Sequence, residues 1–192
     1  MSLEFETYTV EELVNKRMIE KPLDGNHGGI HPKSTDYVDE GIPFIMANDL
    51  KNGSIDYENC KYISEEQAKT LKKGFSKPGD VLLTHKATIG RTAIVDNLYD
   101  TIILTPQVTY YRVLEGINNY YLYFYFNSDY FQNILENWSS SGSTRSYIGI
   151  SNQLKLPIKV PPLEIQNKIV SILFNIEKKI RINKQINHNL EK

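Results

Sequence analysis

The chain has 192 residues, 40% hydrophobic and 23% charged, with a formal net charge of −1, the composition of an ordinary globular protein of one domain or one and a fraction. No run of about eighteen apolar residues is present, and the acidic opening "MSLEFETYTVEEL" has neither the basic nor the apolar region of a secretory leader, so the expectation is a soluble, cytoplasmic protein. A single cysteine, Cys60, excludes an intrachain disulfide framework and a thiolate zinc cluster, and it reads as a half-buried strand residue.

Charge is segregated along the chain. Residues 1–60 carry 12 acidic against 5 basic residues, whereas residues 61–91 carry 3 against 7 and residues 163–192 carry 3 against 6. The overall balance argues weakly against a polyanionic partner, and an acidic first third would have to face away from one. The first candidate site is "DGNHGGIHP", Asp24 to Pro32. Two histidines four apart suggest a metal pair only on one helix face, which Gly28, Gly29 and Pro32 forbid. The glycines allow close backbone approach to a partner, and Asn26, His27 and His31 offer donors and acceptors for base edges or phosphates. A plain surface loop is the competing reading.

From there to about residue 162 the chain alternates short runs rich in Val, Ile, Tyr, Phe and Thr with turn residues: "GIPFIMAND", "NGSIDY", "CKYIS", "GDVLLTH", "TAIVD", "TIILT", "VTYYRVL" and "LPIKV". Two helical insertions interrupt this pattern. "SEEQAKTLKK" starts at the N-cap candidate Ser64, with early glutamates and late lysines. "NNYYLYFYFNSDYFQNILENW", Asn118 to Trp138, is too long for a strand and reads as one mostly buried helix whose aromatic stripe is core. Between strands, "HKATIGR" predicts a hairpin tip carrying Lys86, Thr88 and Arg91, placed to meet a phosphate or guanine. Its spacing is not that of a P-loop. Gln107, at the start of a strand, has the amide geometry to pair with an adenine edge. The stretch "SSSGSTRSYI" then offers the hydroxyls of Ser143 and Thr144 and the guanidinium of Arg145 as a phosphate grip, against the alternative of a flexible loop.

The last segment differs in kind. Two prolines, Pro161 and Pro162, end a strand and favour a helix start, after which thirty residues pass without Gly or Pro. Ile169, Leu173, Ile176, Ile180, Asn183, Asn187 and Leu190 keep alternating four- and three-residue spacing, a coiled-coil seam with two polar positions of the kind that fix register. A helix of thirty residues is about 45 Å long, longer than a domain of this size covers, so much of the stripe should meet a helix from another chain. The fold class expected is α+β: a strand-rich mixed domain over residues 1–160 followed by a long coiled-coil helix over 161–192.

No Gly-x-Ser-x-Gly elbow, Cys–His pair, His-Glu-x-x-His or clustered nuclease carboxylates occur, so no catalytic or metal-ligating residue is assigned and a binding module is favoured. "GNHGGIHP", "GIPFIMANDLKNGSID", "KPGDVLLTHKATIGR", "SSSGSTRSYI" and "LKLPIKVPPLEIQNKIVSIL", in that order and followed by a long helix, resemble the target recognition domain and helical region of a type I restriction-modification specificity subunit, the HsdS family. The junction from "LPIKVPPLEIQNKI" into the helix is the most specific part. The resemblance implies a domain that reads double-stranded DNA at one half of a split target, and a helix that acts as spacer and dock for methyltransferase and restriction subunits. It implies no cofactor in this chain, with S-adenosylmethionine, ATP and magnesium belonging to those partner subunits. The family's usual subunit has two recognition domains and two helical regions; this chain resembles a half-subunit, and a homodimer through the helix would rebuild the two-fold arrangement. On that reading Arg145→Ala weakens DNA binding with a smaller salt slope. The reading from a different class is a protein interaction module displaying a coiled-coil helix without DNA binding, and a small nuclease ranks behind both.

Overall fold

The structure is a computed structural model that describes residues 5–139 and 147–190, the side chains of 181, 184, 185 and 188–190 excepted. In chain order the elements are β1 (Glu6–Thr9), α1 (Val10–Asn15), β2 (Leu23–Asp24), β3 (Tyr37–Val38), β4 (Ile42–Ile45), β5 (Leu50–Lys51), β6 (Ser54–Ile55), β7 (Lys61–Ile63), α2 (Glu65–Lys69) and β8 (Phe75–Ser76). They continue as β9 (Val81–Lys86), β10 (Thr88–Ile94), β11 (Ile102–Leu104), β12 (Val108–Tyr111), α3 (Asn119–Phe126), α4 (Asp129–Ser139), α5 (Ile150–Gln153), β13 (Pro157–Val160) and α6 (Leu163–Leu190). The mixed α+β class and the long C-terminal helix stand as expected.

Two sheets carry the domain. One is four-stranded and antiparallel in the order β10-β9-β12-β2, and the other has the order β3-β7-β4-β11-β8, with β4 and β11 parallel. β9 explains why they pack as they do. Its residues 81 to 85 are all buried, and because side chains alternate across a strand, Val81 and Leu83 enter a core shared with α1, α3, α4 and β13. Leu82, between them, enters a second core with Ile102 and Leu104 of the five-stranded sheet. An apolar run without polar alternation is what a strand buried on both faces requires.

The aromatic segment is two helices rather than one. α3 stops at Phe126, and the Ser128 hydroxyl accepts from the Phe131 backbone N–H at 3.3 Å as α4 begins; a side chain that caps one helix competes with continuation of the previous one. Tyr121, Tyr123 and Tyr125 are core, as expected, whereas Tyr120 and Tyr130 are exposed; the buried hydroxyls are used internally, Tyr121 donating to the Lys159 carbonyl at 2.7 Å and Tyr125 to the Pro157 carbonyl at 3.0 Å. Cys60 is buried in a bend ahead of β7 rather than half-buried in a strand.

The base of α6 is locked to the domain by Gln166, which is fully buried. Its Oε1 accepts from the Asn118 N–H at 2.9 Å, and its Nε2 donates to the Gly116 carbonyl at 2.9 Å and the Pro161 carbonyl at 2.8 Å. Ile169 and Val170 pack against the core, and Tyr123 donates to Glu177 at 3.2 Å. The first turns of the expected seam are therefore spent on the helix's own domain. Beyond them Ile172, Ile176, Ile180 and Ile186 are 49–63% exposed. Asn183 and Asn187 are exposed, Leu173 is half-buried, and the Leu190 side chain lies outside the described residues.

Candidate nucleic-acid interface

Several candidate loops distant in sequence meet at one end of β9 and β12. The Lys86 backbone bridges to Tyr147, the His85 N–H donates to the Gln107 carbonyl at 3.0 Å, and the Ile148 N–H donates to the His85 carbonyl at 3.0 Å. Gln153, fully buried on α5, holds the Tyr147–Asn152 segment against the sheet. Its Oε1 accepts from the Tyr111 hydroxyl at 2.7 Å, and its Nε2 donates to Thr109 at 3.1 Å and the Ile148 carbonyl at 2.9 Å.

Asp24 ends β2 opposite Thr109, and Gly25 then passes so close to β11 that an added Cβ would lie 1.8 Å from the Leu104 carbonyl oxygen. This contact turns the following loop back over the Asp24 carboxylate. Asp24 is almost fully buried and is hydrogen-bonded by Lys73 and, at 2.7 Å, by His27 Nε2. Burial by itself would raise its pKa, but the bonds from Lys73 and His27 outweigh that and hold the carboxyl below its ordinary range. Behind it, buried His85 pairs through Nδ1 with the Ile148 carbonyl at 3.1 Å. A carbonyl only accepts, so Nδ1 carries the proton. Burial pushes the His85 pKa down to about 4, against the opposing pull of Asp24 and the Ile148 carbonyl. The neutral ring leaves Nε2 a buried acceptor without a donor, 4.0 Å from Asp24 Oδ2.

Asp24, His27, Lys73, Tyr147 and the first residues of α5 line an open hollow of about 450 Å³. His27 stands at it with its side chain 51% exposed, and exposed Tyr147 lies beside His85 with ring centroids 5.8 Å apart. Lys86 is exposed next to this hollow, with Thr88 opposite it across the hairpin. The tip is shorter than "HKATIGR" suggested: Ala87 alone turns it, at φ 65°.

The other candidates are placed differently. Asn26 is buried, and both ends of its amide are taken: Nδ2 donates to the Lys73 carbonyl at 2.5 Å and Oδ1 accepts from the Lys72 N–H at 2.9 Å. It shapes the loop, and its burial keeps the rest of the amide from the surface. His31 packs on Phe44 with ring centroids 5.5 Å apart. Arg91 belongs to β10 rather than the hairpin tip; it reaches the Ala47 carbonyl at 3.4 Å in a second hollow with Asn52, Gly53 and Asn127. Ser143, Thr144 and Arg145 lie outside the described residues. Sequence reasoning missed Asp24, Lys73, His85 and Tyr147, whose only local signal was their position at the edges of quoted motifs.

Some of the basic charge is structural. Arg112 makes a two-armed pair with Asp80 at 2.8 Å for each bond and reaches Glu20 at 3.0 Å. Lys72, Lys77 and Lys86 are exposed and have no ion pair among the described residues. Among those residues no group of three or more His, Cys, Asp or Glu is arranged to hold a metal ion, and no helix is long and apolar enough to cross a membrane.

A family model described as the type I restriction modification DNA specificity domain matches residues 3–192. The type I restriction enzyme MjaIX specificity subunit of Methanocaldococcus jannaschii is 30% identical over 175 residues, which is 86% of this chain and 38% of that protein. Among solved structures, the HsdS subunit from Thermoanaerobacter tengcongensis matches with a TM-score of 0.67 at 18% identity, over 97% of this chain and 40% of that one. A chain from a structure concerning complex assembly and conformational transition of the type I R-M system matches with a TM-score of 0.70 at 19% identity, over 100% and 43%. At such identities the structural likeness establishes the fold. This chain spans less than half the length of each of these relatives. The family match across almost the whole sequence makes this chain a member of the type I restriction-modification specificity subunits.

Proposed function

We propose that the chain reads one half of a bipartite DNA target for a type I restriction-modification complex, with residues 1–160 as the recognition unit and 161–192 as a spacer and docking helix. The observation that carries this reading is the convergence of His27, Lys86, Gln107 and Tyr147, from four separate stretches of sequence, around the end of β9. Exposed cations supply sequence-independent phosphate attraction, and the polar and aromatic groups among them are the kind that read bases. The chain itself does no chemistry on this reading; methyltransferase and restriction subunits bring S-adenosylmethionine, ATP and magnesium. The exposed isoleucines of α6 support a helix partner, and two copies pairing antiparallel would present two half-sites at a fixed gap.

Selection of bound duplexes from a randomised library by the full chain, alone and with its methyltransferase subunits, tests the reading. Enrichment of a short motif, repeated as an inverted pair at fixed spacing for a homodimer, is the expected result. Recovery of no sequence in either form favours an interaction module instead. Light scattering on Ile176→Asp/Ile180→Asp addresses the dimer separately: a monomeric variant from a dimeric parent supports pairing through α6, and a monomeric parent removes it.

A further inference from the structure

In the hollow beside β2, His27 is held in one orientation by a buried carboxylate. Ionised Asp24 can only accept, so His27 Nε2 must donate to it at 2.7 Å. That bond sets the ring's orientation and tautomer, as a fixed partner on one ring nitrogen does for the other. In the neutral ring Nδ1 is then a lone pair, and it has no partner among the described residues. Lys73 directs its ammonium to the other oxygen of Asp24 and makes no bond to His27 Nδ1. His85 behind makes none either, its own Nδ1–H being given to the Ile148 carbonyl. His27 Nδ1 is thus an oriented acceptor in an open hollow whose wall includes an exposed aromatic ring at Tyr147.

We infer that His27, oriented by Asp24 and Lys73, is a specificity-determining residue that accepts a hydrogen bond from the exocyclic amino group of adenine or cytosine. This rests on the reading of the domain as a DNA reader and names the base chemistry it selects. In the major groove the amino group of adenine or cytosine is a donor, whereas guanine and thymine present carbonyl oxygens at the equivalent position. A ring nitrogen fixed as an acceptor therefore discriminates between the two classes. Asp24 is a positioning residue that acts through His27: without the carboxylate the imidazole is free to turn and to present N–H outward. Tyr147 supplies a flat apolar face beside the contact.

The test uses the full chain, with its methyltransferase subunits where binding requires them, and the duplex that emerges from library selection. Each adenine is replaced in turn by purine, and each cytosine by 2-pyrimidinone, which removes only the amino group. One position is expected where that removal weakens binding by the parent about tenfold and weakens binding by His27→Ala less than twofold. Asp24→Asn should lose discrimination at that same position and at no other. Because Asp24 is buried, melting curves accompany both variants; His27, half in solvent, carries the result if Asp24→Asn does not fold. Two outcomes overturn the inference while leaving DNA reading intact: His27→Ala discriminating at every position as the parent does, or losing discrimination only at positions where the preferred base is guanine or thymine. If the parent selects no sequence, the DNA-reading proposal fails and this one with it.

Discussion

His85 gives the sharpest quantitative expectation. Its ring is neutral in the folded chain because burial holds its pKa near 4, against an ordinary value of 6.5. The unfolded chain therefore takes up this proton first as pH falls, and it binds more protons than the folded chain between those two values. Stability must drop as pH falls through that window, the contribution being fully present above 6.5 and spent by about 4. Integrating from pH 7 to 4.5 gives a loss of about 2 kcal/mol from this one group. Asp24 is held below the ordinary carboxylate range, so its own contribution is lost as pH falls from that ordinary range downward, beneath most of the His85 window. Urea unfolding at intervals across the window, on the parent and on His85→Asn, isolates the effect. The asparagine amide keeps a donor for the Ile148 carbonyl but does not titrate. The parent should converge on the variant by about 2 kcal/mol as pH drops, with all exposed carboxylates common to both. Two parallel stability curves would refute the argument, since they would mean that His85 titrates alike in both states.

Three further outcomes follow from single contacts. Gln166→Ala strands the Asn118 N–H and the Gly116 and Pro161 carbonyls, and a cost of about 2–4 kcal/mol in chemical unfolding is expected; a change below about 0.5 kcal/mol would mean the base of α6 is not held there. Gly25→Ala drives a methyl into the Leu104 carbonyl, so the loop over Asp24 must move. A loss of about 3 kcal/mol, read by thermal melting, is expected, and an unaltered melt would contradict the close approach. Lys86→Ala removes an exposed unpaired cation beside the hollow. It should weaken DNA binding evenly across sequences and lower the slope of log K against log salt by about 1; an unchanged slope takes Lys86 out of the interface.

The legible parts of this protein are those in which chemistry and spacing are local. Each β-rich run quoted from the sequence contains a strand, Ser64 caps α2 through a 3.1 Å bond to the Gln67 N–H, and the apolar stripe without Gly or Pro is a helix of 28 residues. These follow from period, propensity and capping, which a neighbour or two decides. The division of the aromatic segment was within reach too, since Asn127-Ser128-Asp129 is the kind of polar cluster that caps a helix, but its long apolar run masked the signal.

What the tertiary structure alone decided is where side chains far apart in sequence spend their polar atoms. Asn26 looked like a reader, yet its amide is consumed by backbone groups 46 and 47 residues away. Lys73 looked like a late lysine of the helix begun at Ser64, yet it neutralises Asp24 across 49 residues. The start of the C-terminal stripe looked free for a partner, and the domain's own core takes Ile169. The sequence by itself determined the α+β class, the long helix and most of the strands, because backbone preference and apolar period are properties of neighbours along the chain. Only the folded structure decided which acceptors and cations remain unspent at the hollow, because hydrogen bonding is satisfied by whatever the fold brings within about 3 Å.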